Sequence, residues 1–113
     1  MKVLVCGGRH FNDEKLMYKV FNTGEIGNID TIIHGGCTGA DKIAHDWAFC
    51  YARRVEIYHA DWTRVGKAAG PLRNIRMLEH SKPDLVVAFP GGKGTAHMVK
   101  IAKEAGVPVK EIT

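Results

Sequence analysis

The chain has 113 residues, of which 45% are hydrophobic and 25% charged, a composition typical of one soluble globular domain spanning residues 1–113. Three cysteines without close spacing argue against a disulfide framework, and no apolar run approaches the ~20 residues of a membrane span. The net charge of +4 is compatible with an anionic small ligand or a nucleic acid, although the basic residues form no run. We therefore expect a reduced, cytoplasmic protein with no signal peptide and no membrane partner.

The first half of the chain alternates strand and helix signals. Residues Lys2–Cys6 form a short apolar run that ends at a glycine pair, which predicts a buried strand. Asn12 or Asp13 then caps a predicted amphipathic helix that ends at Gly24. Thr31–His34 is the second predicted strand. The clearest helical periodicity of the chain follows, with residues Ala40, Ile43, Ala44, Trp47, Ala48 and Tyr51 on one face.

The second half continues the same alternation. Val55–Tyr58 is the third predicted strand, and a polar stretch follows it. Gly70-Pro71 begins the third helix, because proline fits a first helical turn. Asp84–Phe89 is the fourth strand, a further amphipathic helix ends at Gly106, and Val107–Ile112 is the last strand. In the third helix, we expect the faces to be marked by Leu72, Ile75, Leu78 and Glu79.

The order βαβαβαβαβ predicts an α/β fold. Near-continuous apolar strands that alternate with amphipathic helices are typical of a parallel sheet covered on both faces. We expect a three-layer, Rossmann-like, doubly wound sheet of about five strands in the order 3-2-1-4-5. In such a sheet the ligand binds beyond the carboxyl ends of the strands, between strands one and four, where the strand order reverses.

Three loops expected at that edge are rich in glycine. They contain Gly7-Gly8-Arg9, Gly35-Gly36 and Gly91–Thr95. Glycine lets a ligand approach the backbone, and the free amides and dipole at the start of the following helix favour an anion. The spacing matches neither a Walker A loop nor the Gly-x-Gly-x-x-Gly motif. The alternative is that these glycines only close tight turns, but three such turns at one edge favour a phosphate site.

Several polar and aromatic side chains lie beside these turns. Arg9 and Arg73 can bind phosphate bidentately, or else form exposed ion pairs. Asp41 is expected in a first helical turn, where it either stabilises the helix or contacts a ribose hydroxyl or a polarised water as an acid or base. Phe11 and Trp62 either stack on a base or belong partly to the core. The predicted ligand-binding residues are Gly7, Gly8, Arg9, Gly35, Gly36, Thr38, Arg73, Asn74, Gly91, Gly92, Lys93, Gly94 and Thr95.

Other kinds of site are less well supported by the sequence. Thr38 is also a possible cap of the second helix. His34, Cys37 and His59 suggest a metal, but the His-x-x-Cys spacing has no second pair, so we predict no metal and no cofactor. A nucleophilic role for Cys37 would need a base, which the sequence does not identify.

Four motifs in order resemble the YspA-type branch of the SLOG superfamily. They are Gly7-Gly8-Arg9-x-Phe11, His34-Gly35-Gly36-x-x-Gly39-Ala40-Asp41, Ala69-Gly70-Pro71-x-Arg73-Asn74-x-x-Met77 and Pro90-Gly91-Gly92-x-Gly94-Thr95-Ala96. SLOG domains are similar to the nucleotide-binding core of DprA and of the LOG phosphoribohydrolases. The resemblance implies a nucleotide-derived ligand, such as an ADP-ribose or NAD derivative or a nucleotide signal, and a possible homodimer or higher homo-oligomer.

One position departs from the LOG enzymes. Their Pro-Gly-Gly-x-Gly-Thr-x-x-Glu motif ends in a catalytic glutamate, and the matching residue here is Met98, beside His97, which is not equivalent. The sequence therefore favours a protein that senses or sequesters a nucleotide-derived small molecule. The first alternative is a hydrolase of a nucleotide N-glycosidic or phosphate-linked bond that uses Asp41. The second, suggested by the DprA similarity and the net charge, is single-stranded nucleic-acid binding.

Overall fold

A computed structural model describes residues 1–113 and contains five strands and five α-helices. The strands are β1 (Lys2–Cys6), β2 (Thr31–His34), β3 (Arg54–Ile57), β4 (Leu85–Ala88) and β5 (Val109–Glu111). The helices are α1 (Glu14–Asn22), α2 (Ala40–Cys50), α3 (Trp62–Val65), α4 (Ala69–Ser81) and α5 (Lys93–Glu104). None of the helices has the length and apolar character that a membrane crossing requires.

All five strands are parallel and are ordered β3-β2-β1-β4-β5, which confirms the predicted Rossmann-like α/β fold. β1 pairs with β2 on one side and with β4 on the other, so the strand order reverses at β1. The carboxyl end of β1 therefore opens directly onto the loops after β2 and β4. These are the glycine-rich loops that the sequence singled out.

Two apolar clusters cover the two faces of the sheet, because successive strand residues point to opposite sides. The first cluster joins the sheet to α1 and α2 through residues that include Val3, Val5, Met17, Phe21, Ile32, Trp47 and Phe89. The second joins it to α4 and α5 through residues that include Leu4, Cys6, Ile33, Met77, Leu78, Val86 and Met98. Both clusters anchor helices whose first turns lie at the carboxyl edge of the sheet.

The segment between β3 and α4 differs from the prediction. Trp62–Val65 forms a short helix, α3, which continues through a 3-10 turn at Gly66–Ala68 into α4. The side chain of Asp61 starts α3 by accepting a hydrogen bond from the Arg64 amide at 3.1 Å. Four residues are too few to produce a helical periodicity, so the sequence showed only a polar stretch there.

Of the apolar residues expected to mark the faces of α4, only one is buried. Leu72 and Ile75 are 53% and 39% exposed, whereas Leu78 is buried. The buried face of this helix instead consists of Ala69, Gly70, Asn74, Met77, Leu78 and Ser81. Small and polar residues take the inner positions of its first turns because that end of α4 borders a cavity rather than the core.

Candidate functional site

A cavity of about 870 Å³ lies at the carboxyl edge of the sheet, beside the point where the strand order reverses. The loops after β1, β2 and β4 and the start of α4 form its walls. The predicted site residues that line it are Gly7, Gly8, Arg9, Phe11, Gly35, Asp41, Trp62, Arg73, Asn74, Gly91, Gly92, Lys93, Gly94 and Thr95. Gly36 and Thr38 do not line the cavity.

The turn after β4 presents unpaired backbone amides along the cavity wall. The N-cap residue of α5 is Gly92, which has no side chain that could accept a hydrogen bond from the first amides of the helix. The first amide to donate along the helix is that of Ala96, which bonds to the Gly92 carbonyl at 3.0 Å. The amides of residues 93–95 precede this bond, and all three residues line the cavity. Together with the dipole of a twelve-residue helix, they form a favourable environment for an anion.

Glycines bring the turn after β4 against the loop after β1. The Gly8 amide donates to the Pro90 carbonyl at 2.9 Å. A Cβ atom on Gly91 would lie 2.7 Å from the Gly8 nitrogen and 2.9 Å from the Gly7 carbonyl carbon. Only a residue without a side chain fits between these backbones.

The start of α2 approaches the same loop. The Ala40 amide donates to the Gly8 carbonyl at 3.1 Å, and Gly39 has φ +74° with its Cα facing the backbone of Gly8 and Arg9. The Thr38 hydroxyl donates to the Arg9 carbonyl at 3.1 Å, and Gly39 rather than Thr38 is the N-cap of α2. The prediction that Thr38 caps this helix is therefore wrong, because its side chain joins the two loops instead.

Asp41 holds the loop after β2 in place. Its Oδ2 atom accepts hydrogen bonds from the amides of Gly35 (3.1 Å) and Cys37 (3.2 Å), and the residue is only 7% exposed. Burial raises the pKa of this carboxyl above its ordinary value, and the backbone amides and the Arg73 guanidinium offset part of that effect. Asp41 thus combines a structural role with a raised pKa at the cavity wall.

Arg73 uses most of its donors within the protein. Its Nη1 atom donates to the carbonyls of Gly35 (2.7 Å) and Tyr58 (3.4 Å), and its Nε atom donates to Asn74 Oδ1 at 3.0 Å. The guanidinium therefore links α4 to the ends of β2 and β3. Its Nη2 atom has only the Cys37 sulfur nearby, at 4.0 Å, so this edge retains hydrogen-bonding capacity toward the cavity.

The two aromatic candidates occupy different environments. Phe11 packs on Phe89 with ring centroids 5.2 Å apart, and so belongs partly to the core. Trp62 is half-exposed, and the Arg9 guanidinium lies 5.4 Å from its ring centroid. This cation–π pair joins the loops after β1 and β3 and lines the cavity with two flat, stackable groups.

The residues considered for a metal do not form a ligand set. His34 Nδ1 accepts the Gly36 amide at 2.9 Å, and His34 Nε2 lies 3.1 Å from His45 Nδ1. Burial, with smaller contributions from nearby positive groups, lowers the pKa of His34 to about 4, so this ring is neutral at physiological pH. No three His, Cys, Asp or Glu side chains of the chain converge on one point.

Two comparisons with known proteins identify relatives of this chain. Residues 1–65 match the model of the YspA, cpYpsA-related SLOG family. The chain also aligns over 96% of its length with 93% of the Gene 61 protein of Mycobacterium phage D29, at 35% identity over 119 residues. The chain belongs to this SLOG family. Membership indicates a nucleotide-related function, and the matched residues include the loops after β1 and β2.

The residue that departs from the LOG motif in this SLOG chain, Met98, lies outside the cavity. Met98 is fully buried in the cluster under α4 and α5 and does not line the cavity. The neighbouring His97 does line it, and so do Cys6, Lys67 and Pro71, to which the sequence assigned no role at the site. Cys37, which the sequence considered only as a metal ligand or a nucleophile, also lines it. The sequence contained one signal that could have identified His97, because it lies one helical turn after Lys93.

The Cys6 thiol at the cavity wall is protonated. Burial, with a smaller contribution from Asp41, raises its pKa to about 12.

Replacement of Asp41 by asparagine should increase stability more at neutral than at acidic pH. The pKa of Asp41 is raised on folding, so its favourable contribution is present below the ordinary pKa and is lost as the pH rises through the raised value. Asparagine imitates the protonated carboxyl and avoids that loss. Urea denaturation at about pH 4 and pH 7 measures the difference.

The matched control for this change is Asp30→Asn. The N-terminal ammonium lies 2.9 Å from the exposed Asp30 carboxylate and lowers the pKa of Asp30. This variant should therefore lose stability relative to the unsubstituted chain as the pH rises. An Asp41→Asn difference that shrinks toward neutral pH would contradict the assigned burial effect.

Proposed function

We propose that the chain binds a nucleotide-derived small molecule, of the ADP-ribose, NAD or nucleotide-signal type, and acts as a sensor or a sequestering protein. The observation that carries this proposal is the row of amides at residues 93–95, which precede the first hydrogen bond of α5 and border a cavity. A volume of about 870 Å³ lies within the usual ~300–1,000 Å³ of small-molecule sites. Membership of the SLOG family supports the same ligand class.

The charges around the cavity also favour an anionic ligand. Arg9, Lys67, Arg73 and Lys93 line it, whereas Asp41 is the one acidic residue among the lining residues. A concave surface with an excess of positive charge attracts phosphates and raises their association rate. Lys93 and the amides of its own helical turn would contact the phosphates in this proposal.

The cation–π pair of Arg9 and Trp62 is suited to the other end of a nucleotide. A base can stack on either flat group, and the Trp62 ring is half-exposed and available for such contact. Phe11 contributes less, since its ring already packs on Phe89. We therefore assign the base to Trp62 and the phosphates to the first turn of α5.

Thermal unfolding with a ligand panel tests this proposal. ADP-ribose, NAD, AMP and cyclic nucleotides are compared with adenosine, which has a base and a ribose but no phosphate. A ligand at 100 times its Kd adds about 2.7 kcal/mol, which corresponds to a rise of Tm by roughly 10 °C for a domain of this size. At least one phosphate-bearing compound should raise Tm in this way and adenosine should not. A panel without any shift would contradict the proposal.

A hydrolase is the second candidate, favoured by the buried Asp41 carboxyl at the cavity wall. Burial raises the pKa of this carboxyl above its ordinary value, which is the direction of shift that a carboxyl acting as a general acid requires. The reaction would break a nucleotide N-glycosidic or phosphate-linked bond. Chromatography of nucleoside monophosphates and NAD derivatives after incubation decides it: product that disappears in Asp41→Asn supports hydrolysis, and no product at high protein concentration removes it.

A further inference from the structure

Asn74 is a buried amide whose orientation is determined by two neighbours. The residue is 5% exposed and lies on α4 between Arg73 and the first turn of α5. Arg73 Nε, which can only donate, lies 3.0 Å from Asn74 Oδ1. The Gly94 carbonyl, which can only accept, lies 3.2 Å from Asn74 Nδ2. The opposite orientation would place two donors together at Arg73 and two acceptors together at Gly94.

This orientation determines the tautomer of His97. The Nδ2 group of Asn74 also lies 3.2 Å from His97 Nδ1. Because Nδ2 donates, Nδ1 must accept and carries no proton, so the neutral imidazole has its proton on Nε2. The Nε2 atom has no protein partner. Since no buried side-chain nitrogen of the chain lacks a partner, this atom is accessible to solvent, and His97 is one of the residues that line the cavity.

We propose that His97 Nε2–H is a dedicated hydrogen-bond donor to an unprotonated oxygen of the ligand, held in this tautomer by the Arg73–Asn74 pair. His97 lies one helical turn after Lys93, beside the amides of residues 93–95, so a phosphate oxygen is the acceptor that fits it. The ligand role rests on the function proposed above, whereas the tautomer is a property of the ligand-free protein. His97 is thus a specificity residue and Asn74 a positioning residue.

The tautomer is tested by nitrogen NMR of ¹⁵N-histidine-labelled, ligand-free protein at about pH 8, where an ordinary imidazole is neutral. The spectrum of His97→Ala identifies the His97 signals. We expect a protonated Nε2 and a bare Nδ1 in the unsubstituted chain. A protonated Nδ1, or an even mixture of tautomers, would overturn the proposal.

The positioning role of Asn74 is tested by Asn74→Asp. The matched control is Asn28→Asp, at an exposed position. A carboxylate only accepts, so it should move the His97 proton to Nδ1, while the control leaves the tautomer unchanged. Thermal unfolding establishes that the variant is folded. A folded Asn74→Asp protein that keeps the His97 proton on Nε2 alone would overturn the positioning role of Asn74. If this variant does not fold, the spectrum of the unsubstituted chain still decides which tautomer His97 adopts.

Calorimetric titration with ADP-ribose tests the ligand role. His97→Ala should weaken binding about tenfold or more, as expected for loss of a hydrogen bond to a charged group, and Asn28→Asp should not change it. Unchanged affinity in His97→Ala would overturn the role of His97 alone. If neither ADP-ribose nor NAD, AMP or a cyclic nucleotide binds to the unsubstituted chain, the phosphate assignment of both proposals is overturned, while the NMR result stands.

Discussion

Replacement of Gly39 by alanine should destabilise the chain by about 2–6 kcal/mol, a large part of the ~5–15 kcal/mol typical of a domain. Gly39 has φ +74° and ψ −126°, a conformation that L residues rarely adopt. Its Cβ would also contact the Gly8 carbonyl oxygen and lie 2.6 Å from the Arg9 carbonyl carbon. Both contacts are with backbone, which cannot move away as a flexible side chain can.

Gly66→Ala separates these two causes. Gly66 has nearly the same backbone angles, φ +67° and ψ −133°, but a Cβ there would have no neighbour within 4 Å. It should therefore cost only the conformational strain, about 1–3 kcal/mol. Urea denaturation of both variants measures the difference. Equal losses would show that the contact between α2 and the loop after β1 is not as close as described.

Gly91→Ala should weaken both the fold and ligand binding. Its Cβ would contact the Thr95 hydroxyl and the backbone of Gly7 and Gly8, so the turn after β4 must move away from the loop after β1. We expect a loss of about 1–3 kcal/mol in stability. Displacement of the amides at residues 93–95 should weaken ADP-ribose binding by about 10-fold to 100-fold, since each hydrogen bond to a charged group contributes ~1.5–3 kcal/mol.

Gly106→Ala is the control for the binding effect. Gly106 has φ +76° and open space around it, and it follows the far end of α5 from the cavity. Alanine there should lower stability through strain and leave ADP-ribose affinity unchanged. Calorimetric titration and urea denaturation of both variants check this pair. Equal loss of affinity in the two variants would mean that reduced stability, and not the turn, accounts for the effect.

The strand order and the position of the cavity were predictable from the sequence. Short apolar runs alternate with amphipathic helices, and this alternation leaves few topologies for a parallel sheet. The glycines of the loops after β1, β2 and β4 also mark the correct edge, since Gly8, Gly39 and Gly91 allow three backbones to meet there. Local pattern was sufficient for these features because the order of the elements and the composition of each loop can be read along the chain, without knowing which side chains meet.

Features that depend on contacts between elements were not predictable. The inner position of Asn74 follows from its hydrogen bonds to Arg73, Gly94 and His97, whereas hydropathy places an asparagine outside. Leu72 of the same helix is apolar and yet 53% exposed. Buried polar residues around a cavity follow hydrogen-bond partners, and those partners come from distant parts of the chain.

The most direct test of the phosphate site is a crystal structure of the chain with ADP-ribose. We expect the pyrophosphate against the amides of residues 93–95, with His97 Nε2 within hydrogen-bonding distance of a phosphate oxygen and the adenine on Trp62. Pyrophosphate density elsewhere, for example in the groove between α4 and α5 near Ile75 and Ile101, would contradict the assignment. So would an empty cavity at a saturating ADP-ribose concentration.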